Sequence, residues 1–391
     1  MGGAYVAIAN SPEAATWNPA GLVQNRRPSL AFSLGVNLNS QNVELNQFAG
    51  MKILSDVNPL LYPTFASAHY PFMLGERVMT IGFSYHRASS LSGQTKEGVF
   101  VYPSGNLNQF ETPGNRIYSL LPTAAVEILP SLSVGAGVNF LSGSNDYRFE
   151  LKSPFLEEIA LFSYSKNEEV SGTFVDLGLR FQPVAWLALG AKVTPGWTYK
   201  IEEKREFVVI TNSTDNFFTT AGDTIESSAD MLSTYRLELP TFFTVGVALR
   251  PTSDWTLAFD YEARPWSNTK VRDANGAVTH DLSNADAMHV GLEYVAAAAW
   301  AEFPLRLGYY TNPSPYKDRY FEGQYYGQQI EGGIFTVGIG VMRKQWAFDF
   351  SIESGKRTID WWVDSGDFYN DRIARTEKNF TELSFSASYG F

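Results

Sequence analysis

The chain of 391 residues has no cysteine, four histidines, and nowhere the unbroken apolar run of about 20 residues that a membrane-crossing helix requires. The first absence excludes a disulfide scaffold. The second argues against catalysis, because hydrolases need a nucleophile beside a basic partner. None of His69, His86, His280 and His289 stands in a nucleophile motif or at a His-x-x-x-His spacing. An enzyme is therefore not expected, nor a bound metal or cofactor. The third absence means that a chain of this kind crosses a membrane only as a closed barrel. Charge is scarce as well: charged residues make up 18%, below the usual quarter of soluble domains, and the net charge of -11 argues against nucleic-acid partners.

Aromatic residues (15%) and glycine (32 residues) are plentiful instead, and they are laid out with a period of two. Leu30, Phe32, Leu34, Val36 and Leu38 alternate with Ala31, Ser33, Gly35, Asn37 and Asn39, so one face is apolar and the other small or polar. The register returns in 79–85, 132–140, 175–181, 187–193, 243–249, 255–261, 288–294, 305–309, 335–341, 346–352 and 383–391. With two weaker segments, 61–70 and 116–129, these runs predict about fourteen strands, within the even-numbered range of outer-membrane barrels. A soluble sandwich would put Lys and Glu on its second face. Here that face carries Gly, Ser, Thr, Ala and scattered charges of both signs, as suits a crowded polar lumen. Trp255, Tyr261, Tyr294, Tyr309, Trp346, Tyr389 and Phe391 fall toward strand ends, where interfacial girdles belong.

The links between runs alternate in length. Short ones fall at 71–76, 130–131, 182–185, 251–254, 296–302 and 343–345, and long polar ones at 40–59, 88–115, 145–169, 201–231, 266–284, 311–332 and 358–378. Periplasmic turns and extracellular loops alternate in this way, which puts both termini on the periplasmic side.

Only the first stretch breaks the pattern. Ser11-Pro12-Glu13 reads as a helix start, with a capping hydroxyl, a ring suited to the first turn and an acid near the positive end. Asn18-Pro19 and then Gly21 stop that helix early. Two units are expected, a hatch at 1–27 and an all-β transmembrane antiparallel barrel at 28–391, with Met1 running straight into the glycines of the hatch.

Gly2-Gly3-Ala4-Tyr5 through Trp17-Asn18-Pro19-Ala20-Gly21-Leu22 resembles the hatch of the FadL-type (FadL/TodX) outer-membrane transport proteins, whose Asn-Pro-Ala lies in the plug. Leu237-Glu238-Leu239-Pro240 through Val245-Gly246, with Leu249-Arg250-Pro251 and Trp255 to Tyr261, resembles that family's central strand pair, and the terminal Phe391 fits the aromatic ending of outer-membrane proteins. The resemblance implies a 14-stranded barrel in the bacterial outer membrane, closed by an N-terminal hatch. It also implies a further N-terminal stretch ahead of the glycines. The implied function is import of hydrophobic compounds, long-chain fatty acids first and monoaromatic hydrocarbons as the alternative. Substrate would pass from loop capture to a pocket above the hatch and out through a lateral gap beside the third strand. FadL-like barrels also serve as scaffold or shuttle subunits of secretion systems, which is the rival class. Expected partners are a hydrophobic small molecule and the surrounding lipid and lipopolysaccharide, with the chain as a monomer.

The residues name candidates for each step. Phe155, Ile159 and Phe162 share one face if their loop is helical, and with the apolar stretch around Ile53 and Leu54 they form the expected capture surface. Inside, a carboxylate ligand would want a cation left unpaired, for which Lys192 and Arg306 are the candidates; Arg180 and Arg250 lie near the turns and would fix the hatch. Asn18, with Pro19 and Ala20, is expected to hold the hatch through its amide. Gly82, inside the third strand, marks a candidate kink for the lateral gate.

Overall fold

A computed structural model describes residues 1–38, 40–45, 52–55, 60–88, 96–102, 105–111, 114–152, 161–210, 224–225, 231–273, 275–276, 278–279, 282–321, 324–363 and 371–391. The alternating runs form fourteen antiparallel barrel strands. These are β1 (Ser29–Asn37, continued by Ser40–Leu45), β2 (Leu60–Leu74), β3 (Arg77–Arg87), β4 (Gly114–Leu129), β5 (Leu132–Lys152), β6 (Leu161–Val184), β7 (Leu187–Thr194 and Trp197–Ile210), and β8 (Met231–Leu239 and Phe242–Leu249). They continue with β9 (Trp255–Ala263), β10 (Ala287–Ala297), β11 (Glu302–Thr311), β12 (Gly332–Arg343), β13 (Trp346–Val363) and β14 (Asp371–Gly390). Each pairs with its neighbours in sequence, and β1 pairs with β14 from Ser29↔Gly390 to Asn37↔Glu382, which closes the ring. Closure removes every edge, the condition for a sheet to cross lipid with its backbone groups satisfied.

The alternation sorts as the sequence predicts. Leu30 and Phe32 are 49% and 47% exposed on the outside, whereas Ala31 and Ser33 are buried inside. Outward aromatics cluster at the short-turn rim, where Trp255 packs on Tyr294 and Trp346 on Tyr389, both with ring centroids 4.7 Å apart.

The long links are shorter than the sequence suggests. β5 runs on to Lys152 and β6 begins at Leu161, although 145–169 reads as loop; β7 continues to Ile210, β13 to Val363, and β14 starts at Asp371. Above the lipid, water wets the outer face, so a strand there needs no apolar side and loses the period of two while keeping its ladder. Segments 52–55, 96–102 and 105–111 join this raised wall and link β1 to β5.

Residues 1–25 lie inside the ring. The helix is a single turn, Ala14–Trp17, two residues later than Ser11 predicts, because the Ser11 hydroxyl donates to the Glu13 carboxylate instead of capping. A 3₁₀ helix, Pro19–Gln24, follows, capped by the Asn18 side chain, and Gly21 sits within it rather than breaking it. The inner wall accepts this segment because it is nearly bare: a side chain at Gly190 would stand 2.3 Å from the Val6 carbonyl oxygen. Gly190→Leu is expected to unseat the segment, since overpacking of this kind costs about 1–3 kcal/mol. The check is chymotryptic cleavage after Tyr5, absent in the wild type and present in the variant, while heat-modifiable migration shows the barrel intact.

Candidate functional site: the stoppered lumen

The N-terminal segment is fastened around the ring. Gly2 N donates to Thr336 Oγ1 on β12 at 2.8 Å, and His289 Nδ1 on β10 lies 2.8 Å from the Gly2 carbonyl oxygen. On β9, one Asp260 oxygen accepts from Tyr5 N and Val6 N at 2.6 and 2.8 Å. These are charge-assisted bonds in a dry place, about 1.5–3 kcal/mol each. Arg180 Nε on β6 donates to Ala7 O at 3.1 Å, Lys192 Nζ on β7 to Thr16 O at 2.7 Å, and Ser133 Oγ on β5 to Ala20 O at 2.9 Å. Asn18 is fully buried and gives its amide hydrogens to Val6 O and Leu179 O at 2.8 and 3.0 Å, while its oxygen accepts from Ala20 N at 3.2 Å. Pro19 and Ala20 pack against the wall where Gly135 leaves room.

Above the segment the lumen is tiered on the β4–β9 side. First comes a polar tier. Asp176 accepts from the Asn139 amide at 2.9 Å and from Thr194, and pairs with Lys192 at 3.3 Å. An apolar tier follows, built of Ile117, Leu141, Val170, Tyr199, Ile201, Leu237, Leu239 and Trp266. Its rings interlock: Phe174 on Trp197 (5.1 Å), Trp197 on Phe242 (5.1 Å) and Phe242 on Trp266 (5.3 Å). An ion network caps it, with Lys166 against Glu203 at 3.1 Å and Glu168 held by Asn145 and the Tyr235 hydroxyl at 2.7 and 2.8 Å.

Several expectations change here. Lys192 and Arg306 are not left unpaired: Lys192 serves Asp176 and the N-terminal segment, and Arg306 bonds Glu293 at 2.6 Å and also Asp349. Asp176, Lys192, Glu293, Arg306 and Asp349 all face inward by parity, but which of them meet depends on the strand register: Arg306 lies opposite Glu293, while Lys192, opposite Gly178, reaches Asp176 on the diagonal. Gly82 is neither kink nor bulge, because the ladder passes it without a shift on both sides, His69↔Gly82 and Gly82↔Thr123. Its missing side chain makes room for the His69 ring, which would lie 2.0 Å from a Cβ there. The wall is interrupted elsewhere. Between β8 and β9 the direct pairing of Phe243↔Ala263 resumes only at Glu238↔Lys270, and 264–269 leaves the ladder around the 3₁₀ turn Trp266–Asn268.

Phe155 and Ile159 lie outside the described residues. Phe162 belongs to β6, opposite Val209, so it shares no helical face with them. Ile53 and Leu54 sit in the short strand Lys52–Ser55, paired with Phe100 and Val99 in the raised wall. A residue that the sequence does not single out is Arg264, at the wall interruption. Its backbone N donates to Asp286 at 2.9 Å, its Nε donates to Ala285 O at 2.6 Å and stands 4.0 Å from the Glu262 carboxylate, and its buried Nη2 has no hydrogen-bond partner among the described residues. Its signal was a lone cation two residues before a tryptophan, too common to read.

The fold defines the class: an integral multi-pass barrel of the bacterial outer membrane, built like the FadL-type transport proteins. A Pseudomonas aeruginosa FadL homologue superposes with a TM-score of 0.66 at 11% identity, covering 99% of this chain and 96% of that one. The Pseudomonas putida toluene transporter TodX gives 0.62 at 15% identity (100% and 98% covered), and the Ralstonia pickettii toluene transporter TbuX 0.58 at 15% (100% and 96%). No curated protein matches the chain. The BamG family model matches residues 1–357, and the chain belongs to the BamG family.

In the N-terminal segment, burial pushes the Glu13 carboxyl above the ordinary carboxylate range, against the opposing pull of the Ser11 hydroxyl. The seated segment therefore holds a proton that the released one gives up. Seating is favoured at low pH and weakens as pH rises from the ordinary glutamate range through the raised value. Hydrogen exchange of the amides of residues 5–17, corrected for intrinsic rates, is expected to show falling protection across that window in the wild type and a flat profile in Glu13→Gln.

Proposed function

We propose that the chain is a channel for uptake of hydrophobic compounds, with residues 1–27 as its hatch. The observation that carries this is the apolar tier: a polar-walled barrel holds interlocked aromatic rings on the β4–β9 side of its lumen, above the hatch and the polar tier that covers it. An aqueous pore has no use for such a tier, whereas a hydrophobic molecule needs a dry surface on which to shed water. Phe155 and Ile159, with Phe162, Ile53 and Leu54 on the strands of the raised wall, supply capture, and Arg264 takes the role of carboxylate contact expected of Lys192 or Arg306. The interruption between β8 and β9 is the place for a lateral exit, beside Trp266 and Phe242.

A second reading, a FadL-like scaffold or shuttle subunit, is favoured by the stack of hatch, polar tier, apolar tier and ion network, which stoppers the lumen on the β4–β9 side.

Protein extracted from its own membrane separates the two in a native mass spectrum: a bound hydrophobe supports the channel, and a stoichiometric protein partner without one supports the scaffold. Within the channel reading, Arg264→Met is expected to weaken oleate binding about tenfold or more, the loss of one charge-assisted bond, and to leave toluene binding unchanged. Equal loss of both ligands would remove Arg264 from the head-group role.

A further inference from the structure

The outer surface of the raised wall carries a recessed polar site on β4–β7. On β4–β6 the lipid-facing band ends at the row Leu120↔Phe140↔Thr173, where Leu120 and Phe140 are both about half exposed. The next outward row reads Tyr118↔Ser142↔Ser171↔Lys200, and the one above it Arg116↔Ser144↔Glu169↔Glu202, about 7 Å further along the strands. Arg116, Ser142, Ser144, Glu169, Ser171 and Glu202 of these rows, with Gly143 and Val170, line a groove of about 530 Å³ whose floor is largely serine hydroxyl and whose flanks are Arg116 on one side and Glu169 and Glu202 on the other. The floor is recessed because β5 closes on β4 at Gly143, in a positive-φ conformation where any Cβ would stand 2.0 Å from the Arg116 carbonyl oxygen. Arg116 keeps donors to spare beyond its bond to Asp146 at 2.9 Å, and Lys200 pairs with Glu202 at the far edge.

We propose that this groove binds the phosphorylated sugar head group of an outer-leaflet glycolipid whose acyl chains lie on Leu120 and Phe140 below. Position selects the occupant. The groove begins where the apolar band stops, so a molecule reaching it from the bilayer has its tails at Phe140 and its head at Ser142. Chemistry agrees: Arg116 meets anionic phosphate in the groove, with Lys200 beyond Glu202 as a second cation at its far edge, the serine hydroxyls and the two carboxylates bond sugar hydroxyls, and a diacyl phospholipid head has too few hydroxyls to use them. A soluble protein ligand would not need the apolar band directly beneath.

The test uses the full-length protein, delipidated in detergent and offered equimolar diphosphoryl lipid A and phosphatidylglycerol, with retained lipid read by native mass spectrometry. The wild type is expected to retain lipid A in preference. Arg116→Ala with Lys200→Ala, and separately Ser142→Leu with Ser171→Leu, which fills the floor, are each expected to lower lipid A retention about tenfold while phosphatidylglycerol stays unchanged. Heat-modifiable migration confirms that each variant barrel is folded. Undiminished lipid A in both variants, equal retention of the two lipids by the wild type, or the same loss in an Arg343→Ala control on the opposite rim would each overturn the proposal.

Discussion

Every other feature of this molecule depends on one constraint: within lipid, each backbone N–H and C=O has to find a partner in the protein. An unpaired amide in hydrocarbon costs several kcal/mol, and a sheet meets that demand only by joining its first strand to its last, as β1 and β14 do from Ser29↔Gly390 upward. Once the ring is closed, side chains have two destinations. Outward positions meet acyl chains and take Leu, Val and Phe; inward positions are crowded and take Ser, Thr and Gly. The bare inner wall then makes the N-terminal segment possible, because its backbone rests where Gly135, Gly178 and Gly190 leave space.

The lumen settles its charges by pairing them. Arg306 lies between Glu293 and Asp349, Lys192 between Asp176 and a carbonyl, and Asp260 holds two backbone amides. Such groups specify one seating for the segment more than they add net stability, since desolvation consumes much of the attraction of a buried pair. Against this background the aromatic tier stands out. Trp197, Phe242 and Trp266 occupy a cross-section that neighbouring tiers give to hydrogen bonds, and they gather where β7 and β8 are broken at Pro195-Gly196 and Pro240-Thr241. Proline removes a ladder donor, and the strands resume just past each break at Trp197 and Phe242.

Strand order, closure and the inside-outside assignment were legible because lipid on one face and crowding on the other impose a period of two that any window of eight residues displays. Phe32 outside and Ser33 inside needed no structure. The length of β5 to β7 was not legible, because the same backbone continues above the lipid, where Asn145 to Glu169 need show no apolar side. The site was read less well than the fold. Inward charges such as Asp260 and Arg180 follow from parity, but that Arg306 faces Glu293 depends on a register in which 293 opposes 306, which no local pattern encodes. Gly82 is one of several glycines on the inner face, and what its bare position serves, the ring of His69 thirteen residues away across a turn, is invisible along the chain. Arg264 was hidden between the alternating run that ends at 261 and the polar link that begins at 266.

The fastenings of the N-terminal segment also bear on how the molecule assembles. Gly2 is bonded to Thr336 across 334 positions, and Tyr5 and Val6 to Asp260 across about 255. Contacts so distant in sequence form late, after the loops between them have closed. Residues 2–6 are therefore among the last to be ordered, and they wait unfastened until β12 has joined the sheet. The ring then shuts by zipping β14 onto β1, which only four residues separate from the end of the 3₁₀ helix. A tail left outside at that moment would have to be threaded through a finished barrel, so the order of seating and closure is a kinetic checkpoint written into the topology.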